Sequence, residues 1–337
     1  VSVDLSTHYL GHRLINPLVA SAGPATDSTE SIKRLADAGI AAVVLPSLFE
    51  EQISHIETEM ARLVESGFSA FGEAAEGFLP EMADYNLGPD GYLTMIESAR
   101  EAVDIPVFAS LNGATPGGWV KYASHFESAG ASAIELNLYV LATDAAVDAR
   151  AMEDRYVEIV KSVVDAVQIP VAVKLTPFFS SLPAMARRLT TEAGAEGLVL
   201  FNRLYQPEVD LDTLTVRPHL RLSTSAELNM PLRWIAVLRD QLESSIAATT
   251  GIHTADDVMK ALLVGADVAM MASAILRSGP DHVASVLASV EGWISDHEYR
   301  SVTQLKGSMS LGSVPDPESF VRANYLHELT SWSRELP

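Results

Sequence analysis

Three polar side chains sit at or near the ends of otherwise apolar runs, and through them this chain could do chemistry. Lys174 lies inside Val171-Ala172-Val173-Lys174-Leu175, Asn137 ends Ala133-Ile134-Glu135-Leu136-Asn137, and Asn202 follows Gly197-Leu198-Val199-Leu200-Phe201. An ammonium buried among such neighbours costs several kcal/mol unless an anionic or polar group meets it. A carbonyl attacked to give a Schiff base, a carboxylate in a structural ion pair, or a flavin edge that becomes anionic on reduction would each serve. Two further runs, Ala247-Ala248-Thr249-Thr250-Gly251-Ile252 and Ala269-Met270-Met271-Ala272-Ser273-Ala274, pass into helical patterns through small residues. Backbone N–H groups in such loops bind anions, so a phosphate is expected there. Thr250 and Ser273 also have the composition of helix N-caps, and His253 reads equally as an exposed first-turn residue.

The elements that must position these groups are short apolar runs alternating with longer stretches of three-and-four apolar spacing, the pattern of repeated βαβ units with strands buried on both faces. The runs are Pro17–Ser21, Ala41–Leu45, Pro106–Leu111, Ala133–Asn137, Pro170–Leu175, Gly197–Phe201, Ser245–Thr249 and Asp267–Ala272. The helical stretches are Thr29–Ala38, Gly91–Val103, Trp119–Ala129, Met152–Val167, Leu182–Ala193, Leu232–Leu242, Ala255–Val264 and Pro280–Glu291. Eight pairs predict an α/β fold, a single (β/α)8 TIM barrel spanning 1–337, in which polar residues at strand ends face the mouth of the site. Phe49–Asp90 and Asn202–Pro231 are too long for simple connectors and read as insertions after strands 2 and 6. Val3–Asn16 reads as a hairpin closing the barrel bottom, and Gly39, Gly130, Gly194 and Gly265 as helix-terminating glycines.

Composition narrows the chemistry further. With 23 basic and 44 acidic residues the net charge is −21, which argues against nucleic-acid partners and anionic membrane surfaces. Zero cysteines exclude disulfides, thiolate metal sites, cysteine-ligated iron–sulfur clusters and a cysteine nucleophile in this chain. The opening Val-Ser-Val-Asp-Leu-Ser-Thr lacks a basic segment followed by an apolar one, and no run reaches the roughly 18 apolar residues of a membrane span, so a cytoplasmic location is expected.

At Glu135-Leu136-Asn137-Leu138, Val173-Lys174-Leu175, Asn202, Thr250-Gly251-Ile252 and Lys306-Gly307-Ser308-Met309, the chain resembles the dihydroorotate dehydrogenase family of FMN barrels, from Asn16-Pro17 to about residue 330. The resemblance implies FMN as cofactor, held by Asn137, Lys174, Asn202, Thr250, Gly251, Ala272 and Ser273, with Ala20, Ser21, Ser47 and Asn112 lining it from earlier strands. It also implies a homodimer or other homo-oligomer, a small-molecule substrate and a redox partner protein.

The departures fall on the substrate chemistry and also on the phosphate loops. Where the family reads Asn-Leu-Ser-Cys-Pro-Asn or its serine variant, this chain reads Asn137-Leu138-Tyr139-Val140-Leu141-Ala142, so Val140 replaces the base and Ala142 a substrate ligand. Leu45-Pro46-Ser47 replaces Thr-Lys-Ser, Asn202-Arg203 replaces Asn-Ser, Thr250 replaces a glycine, and Ala272-Ser273 replaces Gly-Thr. With the run Val44–Gln52, this combination resembles an uncharacterised dihydroorotate dehydrogenase-like branch. The expected activity is therefore an FMN-dependent oxidoreductase acting on a different, anionic substrate, with Arg203 and Tyr139 as its catalytic residues. Arg203 offers a fork for carboxylate or phosphate, and Tyr139 a proton or a stacking face. Pairing of Arg203 with Glu208 or Asp210, and packing of Tyr139 under the insertion, are the structural alternatives. A regulatory flavin-binding or flavin-free pseudoenzyme, and an aldolase or isomerase using Lys174 covalently, are the rival functions.

Overall fold

The computed structural model describes residues 3–53, 88–113, 115, 117, 120–138, 140, 142–203, 207–217 and 221–321. Its strands are β1 (Thr7–Tyr9), β2 (His12–Leu14), β3 (Leu18–Ala20), β4 (Ala42–Phe49), β5 (Val107–Asn112), β6 (Ala133–Asn137), β7 (Val171–Leu175), β8 (Gly197–Leu200), β9 (Glu208–Asp210), β10 (Thr215–Arg217), β11 (Ser245–Ala248) and β12 (Val268–Met271). Eight of them close a barrel in the order β11-β12-β3-β4-β5-β6-β7-β8, each pair parallel. The eight apolar runs are these eight strands. β4 alone differs substantially, running through Pro46 to Phe49, with the register to β5 shifting between Val44 and Ser47. Proline has no N–H to give the ladder, so the strand continues past it only through such an irregularity.

Helices follow the strands in turn, among them Thr29–Asp37, Gly88–Ala102, Ala149–Val164, Asn229–Arg239, Ala255–Val264 and Asp281–Asp296. Their apolar faces and the outward side chains of the strands form one buried shell around the barrel. A second, smaller core fills the barrel itself: Val19, Ala42, Val44, Phe108, Ala133, Ala172, Val199, Ala247, Val268 and Met270 point inward. The expected hairpin is present, with β1 antiparallel to β2 and Tyr9 opposite His12. Tyr9, Leu10 and Leu14 join the inner core, so the hairpin plugs the bottom of the barrel. Gly197 makes room for it, because a Cβ there would lie 2.6 Å from Leu10 Cδ2.

The Lys306-Gly307-Ser308-Met309 segment is a strap. Gly307 and Met309 donate to Leu262 and Leu263 carbonyls, and Lys306 joins Arg239 on the buried carboxylate of Asp267. The insertion after β8 carries the hairpin β9–β10, whose turn is organised by Asp210 Oδ1 accepting from the amides of Asp212 and Thr213. Most of the insertion after β4, residues 54–87, lies outside the described residues. Among the described residues no helix is long and apolar enough to cross a membrane.

Candidate active site

Side chains alternate along a strand, so the residues two positions beyond the inner core toward the strand carboxyl ends also face the barrel axis. Ser21, Ser110, Glu135, Lys174 and Thr249 take these positions on five strands and cap the apolar interior with a polar layer, with Ala272 on a sixth. Lys174 Nζ lies 3.1 Å from Glu135 Oε1, with the two side chains 9% and 3% exposed, and 3.5 Å from Ser21 Oγ. Glu135 Oε2 is buried with no partner among the described residues. Of the three roles open to Lys174, the ion pair is thus present, and Glu135 is its carboxylate. Lys174 also faces open space above the layer.

That space is a cavity of about 270 Å³ at the carboxyl ends of the strands, walled by Ser21 to Pro24, Lys174, Phe201 to Arg203, Leu222, Ser223, Thr249 to Ile252, Met270, Ala272, Ser273 and Leu276. It shares Phe201, Asn202, Arg203 and Thr250 with a groove of about 670 Å³ running under the second insertion. Together they exceed the lower bound of about 300 Å³ typical of small-molecule sites.

On one side, the loop after β11 makes two left-handed residues, Thr250 (φ 72°) and Gly251 (φ 86°). A side chain at Gly251 would bring Cβ to 2.6 Å from Leu228 N, so only glycine seats this loop on the insertion. Thr250 holds a conformation that a β-branched residue rarely adopts, and its hydroxyl donates to the Phe201 carbonyl at 3.1 Å. Neither Thr250 nor Ser273 is a helix cap. Thr254 caps helix Ala255–Val264 through a box with Asp257, and Ser273 is the first residue of its helix, its hydroxyl accepting from Ser223 N. His253 is half-buried and held, with Nε2 3.0 Å from Ser223 Oγ and its N–H on Asp257 Oδ2. The amides of Gly251, Ile252 and Ser273 donate to no other described residue.

The structure therefore brings Ser21, Lys174, Asn202, Arg203, Thr250, Gly251, Ala272 and Ser273 to one cavity. Asn137 joins them indirectly, its Oδ1 accepting from Asn202 Nδ2 at 2.9 Å. Besides Asn137, three expected residues do not line it. Ala20 faces outward into the helix-side core, Ser47 Oγ is 2.7 Å from Ser110 Oγ, and Asn112 stands opposite Asn137 in the β5–β6 register. Tyr139 lies outside the described residues. Arg203 stands in the wall common to both spaces, and its partner is Glu227, with Nε and Oε1 3.1 Å apart, rather than Glu208 or Asp210. Asp210 pairs with Arg217. Val140 lines a separate cavity of about 300 Å³ with Ala142, Tyr156 and Thr176. Its carbonyl accepts from Tyr156 Oη, whose pKa burial pushes upward.

Residues that sequence reasoning missed are Glu135, Glu227 and Ser223. Glu135 had a detectable signal, being a lone charge in an apolar run on the strand next to that of Lys174. Ser223 and Glu227 lie in an insertion whose path no local pattern specifies.

A closed (β/α)8 barrel with a cavity at its strand carboxyl ends, a buried lysine on one side and, on the other, loop amides after the last two strands that no described residue takes up is an enzyme-type ligand site. The family model for dihydroorotate dehydrogenase matches residues 4–293, and the chain belongs to that family. It is 25% identical over 310 residues to the catalytic subunit of dihydroorotate dehydrogenase B (NAD(+)) of Methanothermobacter thermautotrophicus, covering 90% of this chain and 97% of the relative. The corresponding catalytic subunit of Methanocella arvoryzae is 28% identical over 292 residues, covering 85% and 90%. That of Shouchella clausii is 28% identical over 242 residues, covering 70% and 78%.

Proposed function

We propose that this chain is an FMN-dependent oxidoreductase that acts on a small anionic substrate other than dihydroorotate. The observation that carries the cofactor is the cavity itself. The buried ammonium of Lys174, backed by Glu135, lines one side, and the other is lined by Gly251, Ile252 and Ser273, whose amides donate to no other described residue. FMN needs both kinds of group, polar donors for its ring edge and amides for its phosphate. Lys174, steadied by Glu135 and Ser21, would donate to the ring edge, and the loops after β11 and β12 would take the phosphate. When bound, FMN supplies two-electron acceptance from the substrate. Arg203 would orient an anionic substrate group, its guanidinium already in place at the boundary of cavity and groove.

Val140, Pro46 and Ala142 stand where the family carries the base and two substrate contacts, and none of them can move a proton. General-base catalysis contributes roughly 10²–10⁴-fold, so dihydroorotate should reduce the flavin slowly or not at all. The missing base also favours a second reading, a flavin-binding protein with a regulatory role. A covalent role for Lys174 loses its motive, since Glu135 already meets the buried charge. A homo-oligomer, a redox partner and a cytoplasmic location are proposed with the leading function.

Visible absorption of the purified protein tests the cofactor, and anaerobic bleaching by candidate donors tests the activity. Lys174→Ala should strip or loosen the flavin. Full occupancy with an unchanged reduction potential in that variant, or rapid bleaching of the wild type by dihydroorotate, would overturn the corresponding half of the proposal.

A further inference from the structure

We infer that Ser223 and His253 form a proton-linked clamp at the anionic end of the cavity, His253 orienting Ser223 so that its hydroxyl donates to the phosphate of FMN. The inference rests on the cofactor proposed above.

Ser223 is only 4% exposed, yet it lines the cavity beside Ser273. It is fixed there by its own chain: its N–H donates to Ser273 Oγ at 3.0 Å, and the carbonyl of the preceding Leu222 accepts from Arg277. Behind it stands His253, with Nε2 3.0 Å from Ser223 Oγ. The main chain that carries the imidazole is anchored, its N–H donating to Asp257 Oδ2 and its carbonyl accepting from His282 Nε2 at 2.7 Å. A hydroxyl has one proton. If that proton goes to an unprotonated Nε2, Ser223 shows lone pairs to the cavity and repels an anion. If Nε2 carries the hydrogen and donates, the Ser223 proton is released toward the cavity.

Electrostatics couples this switch to the ligand. The lining cations Lys174 and Arg203 already sit on Glu135 and Glu227, at 3.1 Å each. A dianion near Ser223 and Ser273 would thus meet the fixed charge of Arg277, which donates to the Leu222 carbonyl, and, in His253, a group that can add a further charge by taking up a proton. Four groups face that imidazole from the elements packed around it: Arg277 and His282 oppose a charge on it, while Asp257 and Glu227 favour one. Burial is the largest influence and also opposes the charge, holding the pKa below the ordinary histidine value. An arriving phosphate adds the negative charge that tips this balance, so binding takes up a proton.

The test compares FMN with riboflavin, which lacks the phosphate, by fluorescence titration of flavin-stripped protein from about pH 5.5 to about pH 8.5, across the histidine range. In the wild type the preference for FMN over riboflavin should be greatest at the acid end and fall as pH rises. His253→Gln keeps a donor to Ser223 but no proton to gain, and should flatten that profile. Ser223→Ala should lower the preference about tenfold at acid pH, the worth of one charge-assisted hydrogen bond, with riboflavin affinity and circular dichroism unchanged. The phosphate's own titration near about pH 6 is common to all three proteins and cancels in the comparison. Equal losses for both flavins would mark the pair as structural and overturn the inference, as would an FMN preference unchanged in the variants. Failure of the wild type to bind either flavin would overturn the cofactor assignment together with it.

Discussion

Glu135→Gln probes the energetic centre of the barrel. The wild-type pair is 3.1 Å long between side chains 9% and 3% exposed, so removing the carboxylate leaves an ammonium buried against a neutral amide. Breaking such a pair from one side costs about 3–5 kcal/mol. The unpartnered Oε2 already costs the wild type some desolvation, which places the loss toward the lower part of that range. With an unfolding entropy of about 2.1 cal/mol/K per residue, the 337-residue chain loses about 4–6 °C in Tm for that change. Lys174→Met should cost a comparable amount, because it strands the carboxylate instead. The double variant Glu135→Gln/Lys174→Met should recover most of the loss, since a neutral pair of similar volume often matches a buried ion pair. Thermal unfolding of flavin-stripped samples at one scan rate measures all four proteins, flavin being omitted because saturation at about 100 times Kd adds about 2.7 kcal/mol to any variant that still binds. Single variants as stable as the wild type, or a double variant no better than the worse single, would refute the ion pair as the element that stabilises Lys174 in the barrel.

Two further variants test the parts of the fold that carry the site. Gly197→Ala should lower stability by about 1–3 kcal/mol by overpacking the hairpin plug, and Leu10→Val in the same protein should restore part of it in chemical denaturation. Asp267→Asn removes the charge shared by Arg239 and Lys306 while leaving an acceptor for Ile246 N, and should cost about 2–3 kcal/mol, discounted for the partial exposure of both cations; an unchanged denaturation midpoint would show that the strap is held by its backbone bonds alone.

The barrel was legible because its strands are buried on both faces and therefore read as continuous apolar runs; Ala133–Asn137 and Ala255–Val264 coincide with β6 and a helix to the residue. The exceptions have local causes. Pro46 ended the expected second strand early because proline is a breaker in sequence, whereas here a register shift absorbs it. The β9–β10 hairpin carries no Asn-Gly signal; its turn uses Leu214 at φ 54° and the Asp210 carboxylate instead. In the site, the strand-borne members Ser21 and Lys174 and the loop residues Thr250, Gly251, Ala272 and Ser273 were readable because their place in a barrel is dictated by their place in a run. Ala20, one residue before Ser21, presents its side chain to the opposite face of the strand, where it packs in the helix-side core. Arg203 was seen, but its partner was not, since Glu227 reaches it only through the fold of the insertion.

The departures from the family motif fall where this architecture lets residues change. Glu135 and Lys174 project from adjacent strands into a closed interior, so neither can be replaced alone without stranding a charge. Val140, Ala142 and Arg203 stand beyond the strand ends, where a new side chain meets a cavity or groove rather than packed core. Pro46 is the instructive case, because it sits within a barrel strand and the strand answers with a shifted register, bringing Ser47 onto Ser110. The buried Glu135–Lys174 pair and the residues beyond the strand ends are thus mechanically separate. A barrel built this way can change the residues around its mouth, Thr250 and Ala272-Ser273 of the expected phosphate loops among them, while the buried ion pair beneath stays intact, and that separation is the physical basis for expecting flavin without dihydroorotate oxidation.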